Sequence, residues 1–418
     1  MSEKRKEPPD RLSGNELNFL VTGGLTTLAN RLASPQIVLP WVYNIIGGPL
    51  FLVGFIVPFV RLGGLFAQLT LVPTLLARQT RKWAYFVASM IVGIVLLVMC
   101  VAALELKVFA AATIFFAGTL MLGGCNGIIL LTSQEVMAKS VLRNRIGLLL
   151  AKQASIGGVL TLLVVVTMMY VYPDDGTKAQ HLVLIVIAAL VTLLAGAVFV
   201  MLHEPVSVVQ KRRSAWKETL HGWKLYRATP WFRQFFRTRA LFLSVGLAMP
   251  FYSIHAATEY ESGSKSLSLF VLATGVTTIF SGVVWSKLLS KSPGRVLIWS
   301  GYLAAAAGFV AMIRAVFPQL SLPLMYVVVF SLLTLAVQGL AQSSKTYLAL
   351  MTPEDERPLY LAINNALLGV VAVVVSGLIG LVAHSVHIYA ALGLLIVMAL
   401  VASYSARSLV PISLEPRG

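Results

Sequence analysis

Acidic residues and cysteines are both scarce in this chain of 418 residues. Sixteen Asp and Glu stand against 33 Lys and Arg, which gives a formal net charge of +17, and charged residues make up only 12% of the chain. A soluble domain carries about 25% charged residues to cover its surface. The composition therefore excludes an ordinary soluble protein. The two cysteines, Cys100 and Cys125, lie inside apolar stretches and predict neither a disulfide framework nor a metal site.

Apolar residues fill the chain in long runs instead. The hydrophobic share is 58% and the mean hydropathy is +0.84. Runs of about 20 residues recur, long enough to cross a bilayer as helices, whereas a transmembrane barrel would show short alternating segments. The sequence therefore predicts an all-α polytopic membrane protein, with a turn at Pro35 and Pro40 and a bend near Pro58. The twelve predicted helices cover residues 16–34, 48–76, 83–104, 108–132, 146–172, 181–203, 240–258, 267–289, 296–316, 322–347, 359–384 and 388–407.

A basic stretch at residues 204–239 divides this apolar sequence in the middle. It holds nine of the Lys and Arg residues and only two acids. Trp216 and Trp223 recur at helical spacing among basic residues, which predicts an interfacial helix attracted to anionic lipids of the inner leaflet. Thr229 and Pro230 indicate the N-cap and first position of a further helix. The membrane surface thus accounts for the positive charge, and we expect no nucleic-acid partner.

The distribution of cations predicts the orientation of the chain. With a cytoplasmic N-terminus, 26 of the 33 Lys and Arg fall in cytoplasmic segments and four in outer loops. Cations gather on the cytoplasmic side, so we expect both termini inside and a location in a bacterial inner membrane. The predicted domains are a basic cytoplasmic tail (1–15), a six-helix bundle (16–203), a cytoplasmic basic linker with its interfacial helix (204–239), a second six-helix bundle (240–407) and a cytoplasmic tail (408–418).

A weak internal repeat relates the two bundles. Aligning Arg145 with Arg357 sets the polar pair Lys152–Gln153 opposite Asn364–Asn365. Two parallel halves of this kind imply a pseudo-two-fold axis along the membrane normal.

Twelve helices, a long basic middle loop and two parallel halves resemble the major facilitator superfamily from about residue 16 to 407. The loop LARQTRK keeps the basic residues Arg78, Arg81 and Lys82 of the family's pattern, but Ala77 and Thr80 replace its acid and its second glycine. The predicted fifth helix also lacks the Gly-Pro signature of drug–proton antiporters. The resemblance implies alternating access between two six-helix halves, in a subfamily that these residues do not identify.

Cations within the predicted helices are the sharpest candidates for a binding site. Arg61 lies too deep in its helix to reach the surface easily, while Arg31 and Lys152 could extend outward or inward. Each either faces a cavity or bonds neighbouring carbonyls. Because no acid lies near the midplane, the three favour an anionic or zwitterionic solute.

Neutral polar residues on the same helices either bind solute or join helices. The substrate-binding candidates are Arg61, Arg31, Lys152, Asn126, Gln338, Gln342, Asn364, Asn365 and Tyr252. The gating or coupling candidates are Glu135, Arg145, Arg357, Arg78, Arg81 and His255. Glu135 pairs either with Lys139 on its own helix or with Arg143 or Arg145 as an inner gate. His255 is either a proton carrier or a buried structural histidine.

Motifs for enzymes, cofactors and metals are absent from the sequence, including those for ATP. We therefore predict a monomeric, gradient-driven secondary transporter that moves a small organic solute with a proton or sodium ion. The alternative is a non-transporting protein of the same fold that acts as a receptor, assembly factor or lipid-handling scaffold.

Overall fold

A computed structural model describes residues 14–70, 80–141, 145–171, 178–205, 225–259, 264–289, 291–317, 323–353 and 356–410. The predicted interfacial helix around Trp216 and Trp223 lies outside these residues. One short 3₁₀ helix, η1 (Leu50–Phe55), precedes α3. The α-helices in chain order are α1 (Gly14–Leu32), α2 (Val38–Ile46), α3 (Ile56–Thr70), α4 (Lys82–Glu105), α5 (Val108–Ser140), α6 (Ile146–Val171), α7 (Lys178–Val200), α8 (Pro230–Leu241), α9 (Leu243–Glu259), α10 (Ser264–Leu289), α11 (Pro293–Val316), α12 (Pro323–Met351), α13 (Arg357–Ser385) and α14 (Ile388–Ala406).

These helices form an integral membrane protein with two halves, the N half (α1–α7) and the C half (α8–α14). Within the described residues, 11 helical stretches are long and apolar enough to cross a membrane. They match the predicted helices except the first, which corresponds to α1, and the short α2 that follows it was not predicted. We call the end of the bundle where α1, α4 and α8 begin the basic end, and the other the opposite end.

The first predicted helix, residues 16–34, corresponds to α1, which ends just before the predicted turn at Pro35. A break at residues 33–37 separates α1 from α2, and the Ser34 carbonyl accepts the N–H groups of Val38 and Leu39, both at 3.0 Å. Pro35 lies in the break. Pro40 does not extend the turn as expected, because it occupies the first turn of α2, where its missing N–H is not needed.

The predicted bend near Pro58 corresponds to the change from η1 to α3 at Ile56. Pro58 again lies in a first helical turn, which tolerates proline.

The basic stretch in the middle of the chain becomes helical earlier than its charge suggests. Thr229 is the N-cap of α8 and Pro230 its first residue, as the sequence predicts. Arg239, which belongs to the predicted linker, therefore lies on a helix, within the membrane-length stretch Pro230–Thr258.

The most extensive contacts between the halves join four pairs of elements. Toward the opposite end, α2 packs on α9 and η1 packs on α13, and along the sides α6 packs on α10 and α3 on α13. Helices from both halves therefore enclose the space in which the candidate site lies.

Candidate functional site

A cavity of about 310 Å³ lies between the two halves. The N half contributes the last turns of α1 and the break that follows, and the C half contributes α9, α10 and α12. Its lining residues are Thr27, Asn30, Arg31, Ser34, Gln36, Ile37, Met249, Val271, Thr274, Thr278, Thr334, Val337 and Gln338. The volume is at the lower end of the range for small-molecule sites.

Arg31 is the charged residue among the described lining residues of this cavity. It lies in the last turn of α1, and its Nη1 approaches the α10 backbone at Gly275. Its buried Nε has no hydrogen-bond partner among the described residues. A guanidinium with an unused donor gives the cavity a fixed positive charge that suits a carboxylate or another oxyanion.

The polar side chains around Arg31 offer both acceptors and donors. Thr27, Thr274 and Thr278 donate their hydroxyl protons to backbone carbonyls at 2.7–2.9 Å, so their oxygens can still act as acceptors. Thr334 Oγ1 is buried with no partner in the described structure, and Gln338 adds an amide. A solute that has hydroxyl or amino donors beside its anionic group would match this arrangement.

Contacts between the halves close the cavity toward the opposite end. Ser253 on α9 donates to the Ile37 carbonyl at 2.7 Å, so the break in the N half is tied to the C half. Trp41 on α2 packs edge-on against Phe270 on α10, with ring centroids 6.0 Å apart. The break between α1 and α2 therefore lines the cavity and also helps to close it toward the opposite end.

A second inter-half contact at the opposite end joins η1 to α13. The rings of Phe51 and His384 are 5.7 Å apart, and the backbones of the two elements approach closely at Gly54 and Gly380. A β-carbon on Gly54 would lie only 2.6 Å from the Ser376 carbonyl oxygen. Glycine therefore permits this close backbone contact.

Arg61, the deepest cation of the sequence, is not among the described lining residues of the cavity. It lies on α3 and reaches the C half, where its Nη2 is 3.3 Å from the place of a β-carbon on Gly246. The sequence predicted that Arg31 and Arg61 contribute to one binding site, whereas in the structure only Arg31 of the two lines the cavity.

Charged residues at the basic end form a cluster that joins helices of the N half. The buried carboxylate of Glu204 accepts the backbone N–H of Arg81 at 2.8 Å and that of Lys82 at 2.9 Å, and it pairs with Lys139 at 3.5 Å. Because Arg81 is the N-cap of α4 and has no side-chain cap, Glu204 satisfies the first donors of that helix from a distant segment.

Two further ion pairs correct the expectation for Glu135. Its carboxylate pairs with Arg81. The expected partners were Lys139 or, as an inner gate, Arg143 or Arg145, and of these Arg143 lies outside the described residues. Lys139 pairs with Glu204, and Arg145 pairs with Glu16 at 3.4 Å. The starts of α1, α4 and α6 meet the ends of α5 and α7 at the basic end. Glu135 therefore lies closer to Arg81, from another helix, than to Lys139, four residues along its own helix.

Polar residues in the predicted repeat do not occupy matching positions. Lys152 is exposed, whereas Gln153 is buried and donates to the Phe19 carbonyl at 2.7 Å. In the C half the order is reversed, with Asn364 buried and Asn365 exposed. The burial pattern therefore relates Gln153 to Asn364, one residue away from the predicted alignment.

Other predicted candidates lie away from the described lining of the cavity. Asn126 and Gln342 are half-buried, and Gln342 is one turn beyond Gln338. Tyr252 is buried within the C half beside Gly308, and His255 is buried there in a hydrogen bond with Tyr326. These positions assign Tyr252 and His255 to the interior of one half.

Arg78 and Arg143 lie outside the described residues, and so does the side chain of Arg357 at the start of α13.

Several lining residues were missed by sequence reasoning. Thr274 and Thr278 are four apart on α10, a spacing that places them on one face, but hydroxyl residues also occur widely between membrane helices. Ser34 and Gln36 flank Pro35, in the turn that the sequence predicts there, but nothing in the sequence places that turn beside a cavity.

Comparison with known proteins gives matches in sequence and in fold. Residues 240–416 match the model of the Major Facilitator Superfamily. The uncharacterized proteins Rv2209 of Mycobacterium tuberculosis and Mb2232 of Mycobacterium bovis are each 25% identical over 370 residues, which are 88% of this chain and 71% of theirs. The nucleoside transporter NupG is similar in structure with a TM-score of 0.70 at 11% identity, over 95% of this chain and 99% of that one. The xylose transporter XylE from E. coli has a TM-score of 0.67 at 12% identity, over 96% of this chain and 100% of that one.

Proposed function

The chain has the fold of the Major Facilitator Superfamily and matches the family's model over residues 240–416, and from this premise we propose that it is a gradient-driven secondary transporter of a small organic anion or zwitterion. The observation that carries the proposal is the cavity between the halves, with Arg31 as its charged residue. Alternating access exposes such a site to one side of the membrane and then to the other.

The arrangement at the two ends of the bundle supports this mechanism. Side chains such as Ser253 and Trp41 join the halves on the opposite-end side of the cavity, whereas the ion pairs of Glu204, Glu135 and Glu16 join helices within the N half. In the proposed cycle, the first contacts break when the cavity opens toward the opposite end. The N-half ion pairs keep that half rigid as it moves.

The chemistry of the lining favours one class of solute. Arg31 would bind its carboxylate or phosphate, and the hydroxyl oxygens of Thr274 and Thr278 would accept hydrogen bonds from its hydroxyl or amino groups.

We propose a proton or sodium ion as the coupling ion. The basic end faces the cytoplasm in this proposal, since basic residues concentrate on that side.

A ligand screen followed by flux measurement tests the function. Purified protein is screened by thermal shift against organic anions, zwitterions, cations and sugars, because a ligand that binds only the folded protein raises its stability. The best ligand is then assayed for uptake into proteoliposomes under an imposed proton or sodium gradient. We expect gradient-dependent uptake by the wild type and a loss of at least about tenfold in affinity in Arg31→Gln, from the lost charge-assisted hydrogen bonds.

Arg407→Gln is the matched control, because Arg407 is exposed beyond the end of α14 and donates to the Tyr302 hydroxyl. Its uptake should equal that of the wild type. Ligand binding without flux above empty liposomes would favour a receptor or scaffold. Equal uptake by Arg31→Gln and wild type would reject the role of Arg31.

A further inference from the structure

Four threonines line the cavity, and one of them differs from the others in its hydrogen bonding. Thr27, Thr274 and Thr278 each donate the hydroxyl proton to a carbonyl three or four residues earlier in the same helix, as hydroxyl side chains within helices commonly do. Thr334 on α12 does not. Its side chain is buried, and its Oγ1 has no hydrogen-bond partner among the described residues.

A buried hydroxyl without a partner is costly, and a valine of nearly the same shape would avoid that cost. The Thr334 hydroxyl is therefore available, as donor and as acceptor, to a group that enters the cavity. On the N-half side of the same cavity, the buried Nε of Arg31 is also without a partner in the described structure. Two unused polar groups, one from each half, thus line one cavity.

Further polar side chains of the C half surround Thr334. Gln338 follows it by four residues on α12, so the two lie on one face of that helix, and Thr274 and Thr278 have the same spacing on the neighbouring α10. The C half therefore offers hydroxyl and amide groups to a solute, whereas the positive charge comes from Arg31 in the N half.

The charges of the lining distinguish between an amino group and a hydroxyl group on the solute. The described lining residues include the cation Arg31 and no acid. An ammonium group that enters the cavity loses its water and meets a positive potential without a carboxylate to compensate it. A neutral hydroxyl group does not have this cost, and it can donate to the threonine oxygens as well. The lining therefore favours a hydroxy acid over an amino acid.

The shape of the solute is restricted by the same lining. Its described apolar members are aliphatic or thioether side chains, namely Ile37, Met249, Val271 and Val337, and an aromatic ring is absent from that set. A planar ring would therefore find no aromatic surface on which to stack. The cavity, of about 310 Å³, suits a small solute without an aromatic ring.

We propose that Thr334 is a specificity-determining residue that recognises a hydroxyl group of the solute, and that the solute is a non-aromatic hydroxy acid, such as a sugar acid. Arg31 binds its carboxylate, and Thr334 both donates to its hydroxyl group and accepts from it. The bound solute then joins the two halves, because Arg31 belongs to α1 and Thr334 to α12. This inference rests on the proposed function, which makes the cavity the solute site.

Carboxylates of equal carbon number are the probes. Serine has an ammonium group where glycerate has a hydroxyl group, and propanoate has neither; gluconate and hexanoate form a second, six-carbon pair. Their dissociation constants for the purified full-length protein are measured by calorimetric titration. We expect the wild type to bind glycerate or gluconate at least about tenfold more tightly than the matched compounds, because a site built to bond a hydroxyl group rejects an analogue that lacks it.

Thr334→Val tests the residue, and Thr22→Val is its matched control. The Thr22 hydroxyl is likewise buried without a partner in the described structure, but Thr22 is not among the described lining residues. Both variants should melt at or above the temperature of the ligand-free wild type, because each loses an unpaired hydroxyl group. Only Thr334→Val should bind the hydroxy acid about tenfold more weakly and lose the preference over the deoxy analogue.

Several results would overturn the proposal. A wild type that binds neither hydroxy acid, or binds serine or the deoxy acids as tightly, would reject the solute class. A preference that persists in Thr334→Val would show that the hydroxyl group of Thr334 does not contact the solute.

Failure of this inference can be separated from failure of the proposed function. Binding of a hydroxy acid with the expected preference, but without uptake into proteoliposomes, supports the inference and rejects transport. Gradient-driven uptake of a solute without a hydroxyl group, lost in Arg31→Gln, supports transport and rejects the role of Thr334.

Discussion

Nη1 of Arg31 lies 3.4 Å from the position that a β-carbon on Gly275 would occupy. The same relationship recurs between Arg61 and Gly246, at 3.3 Å. In both cases an arginine of the N half extends across the boundary to a C-half helix where that helix has no side chain. Both glycines therefore leave room for a guanidinium between the halves.

Gly275→Val is predicted to weaken solute binding in the cavity. The branched side chain meets the Arg31 guanidinium and displaces it, at an expected loss of about tenfold in solute affinity, or ~1.4 kcal/mol. Gly282→Val is the matched control, because Gly282 lies two turns further along α10 and a β-carbon there has no neighbour within 4 Å. The measurement is the affinity of each purified variant for the solute found in the screen, and equal affinities would contradict the prediction.

Gly380→Ala is predicted to open the cavity toward the opposite end. Its new methyl group would collide with the backbone of Phe51, and such overpacking costs about 1–3 kcal/mol, which shifts an open–closed equilibrium about tenfold. The measurement is labelling of a Thr274→Cys reporter in the cavity by a membrane-impermeant thiol reagent. Cys100 and Cys125 are buried and contribute little background.

Gly393→Ala on α14 is the control for that experiment, since no atom lies within 4 Å of the added carbon. Faster labelling from the opposite end is expected for Gly380→Ala only. Unchanged labelling in Gly380→Ala would show that η1 and α13 do not form the closure.

Hydrophobic runs were sufficient to predict most of the helices, because length and apolar composition decide membrane spans locally. The exception is α2, where Pro40 was interpreted as a breaker although a first helical turn accepts proline. Arg239 was assigned to the linker for a related reason: its neighbours Arg233 and Arg237 give the stretch a polar composition, while the helix had already begun at Pro230.

The candidate site was only partly predictable. Arg31 and Gln338 were found because polar side chains are conspicuous in apolar helices. The separation of Arg61 from Arg31, and its approach to Gly246, depend on how two distant halves pack against each other, and a single sequence does not show which residues then face one another. The ion-pair partner of Glu135 could not be predicted for the same reason, because Arg81 lies at the start of another helix.

Glu204→Gln is predicted to destabilise the N half. The neutral amide cannot pair with Lys139 and accepts the N–H groups of Arg81 and Lys82 more weakly, and breaking a buried pair costs about 3 kcal/mol. Glu105→Gln removes an exposed carboxylate at the other end of α4, where a negative charge opposes the helix dipole, so stability should stay equal or rise slightly. Thermal unfolding of the two variants in detergent provides the comparison, and similar melting temperatures would rule out a capping role for Glu204.

His255→Gln and Tyr326→Phe are predicted to change stability without changing the pH dependence of transport. His255 and Tyr326 are buried in the C half, where they hydrogen-bond to each other, and neither is among the described lining residues of the cavity. Losing one partner removes a buried hydrogen bond, at a cost of about 1–3 kcal/mol in the free energy of unfolding. The pH profile of gradient-driven uptake should coincide with that of the wild type, because the histidine then carries no coupling proton. A profile displaced in His255→Gln but not in Tyr326→Phe would instead return His255 to the coupling pathway, since only the first variant removes the titrating ring.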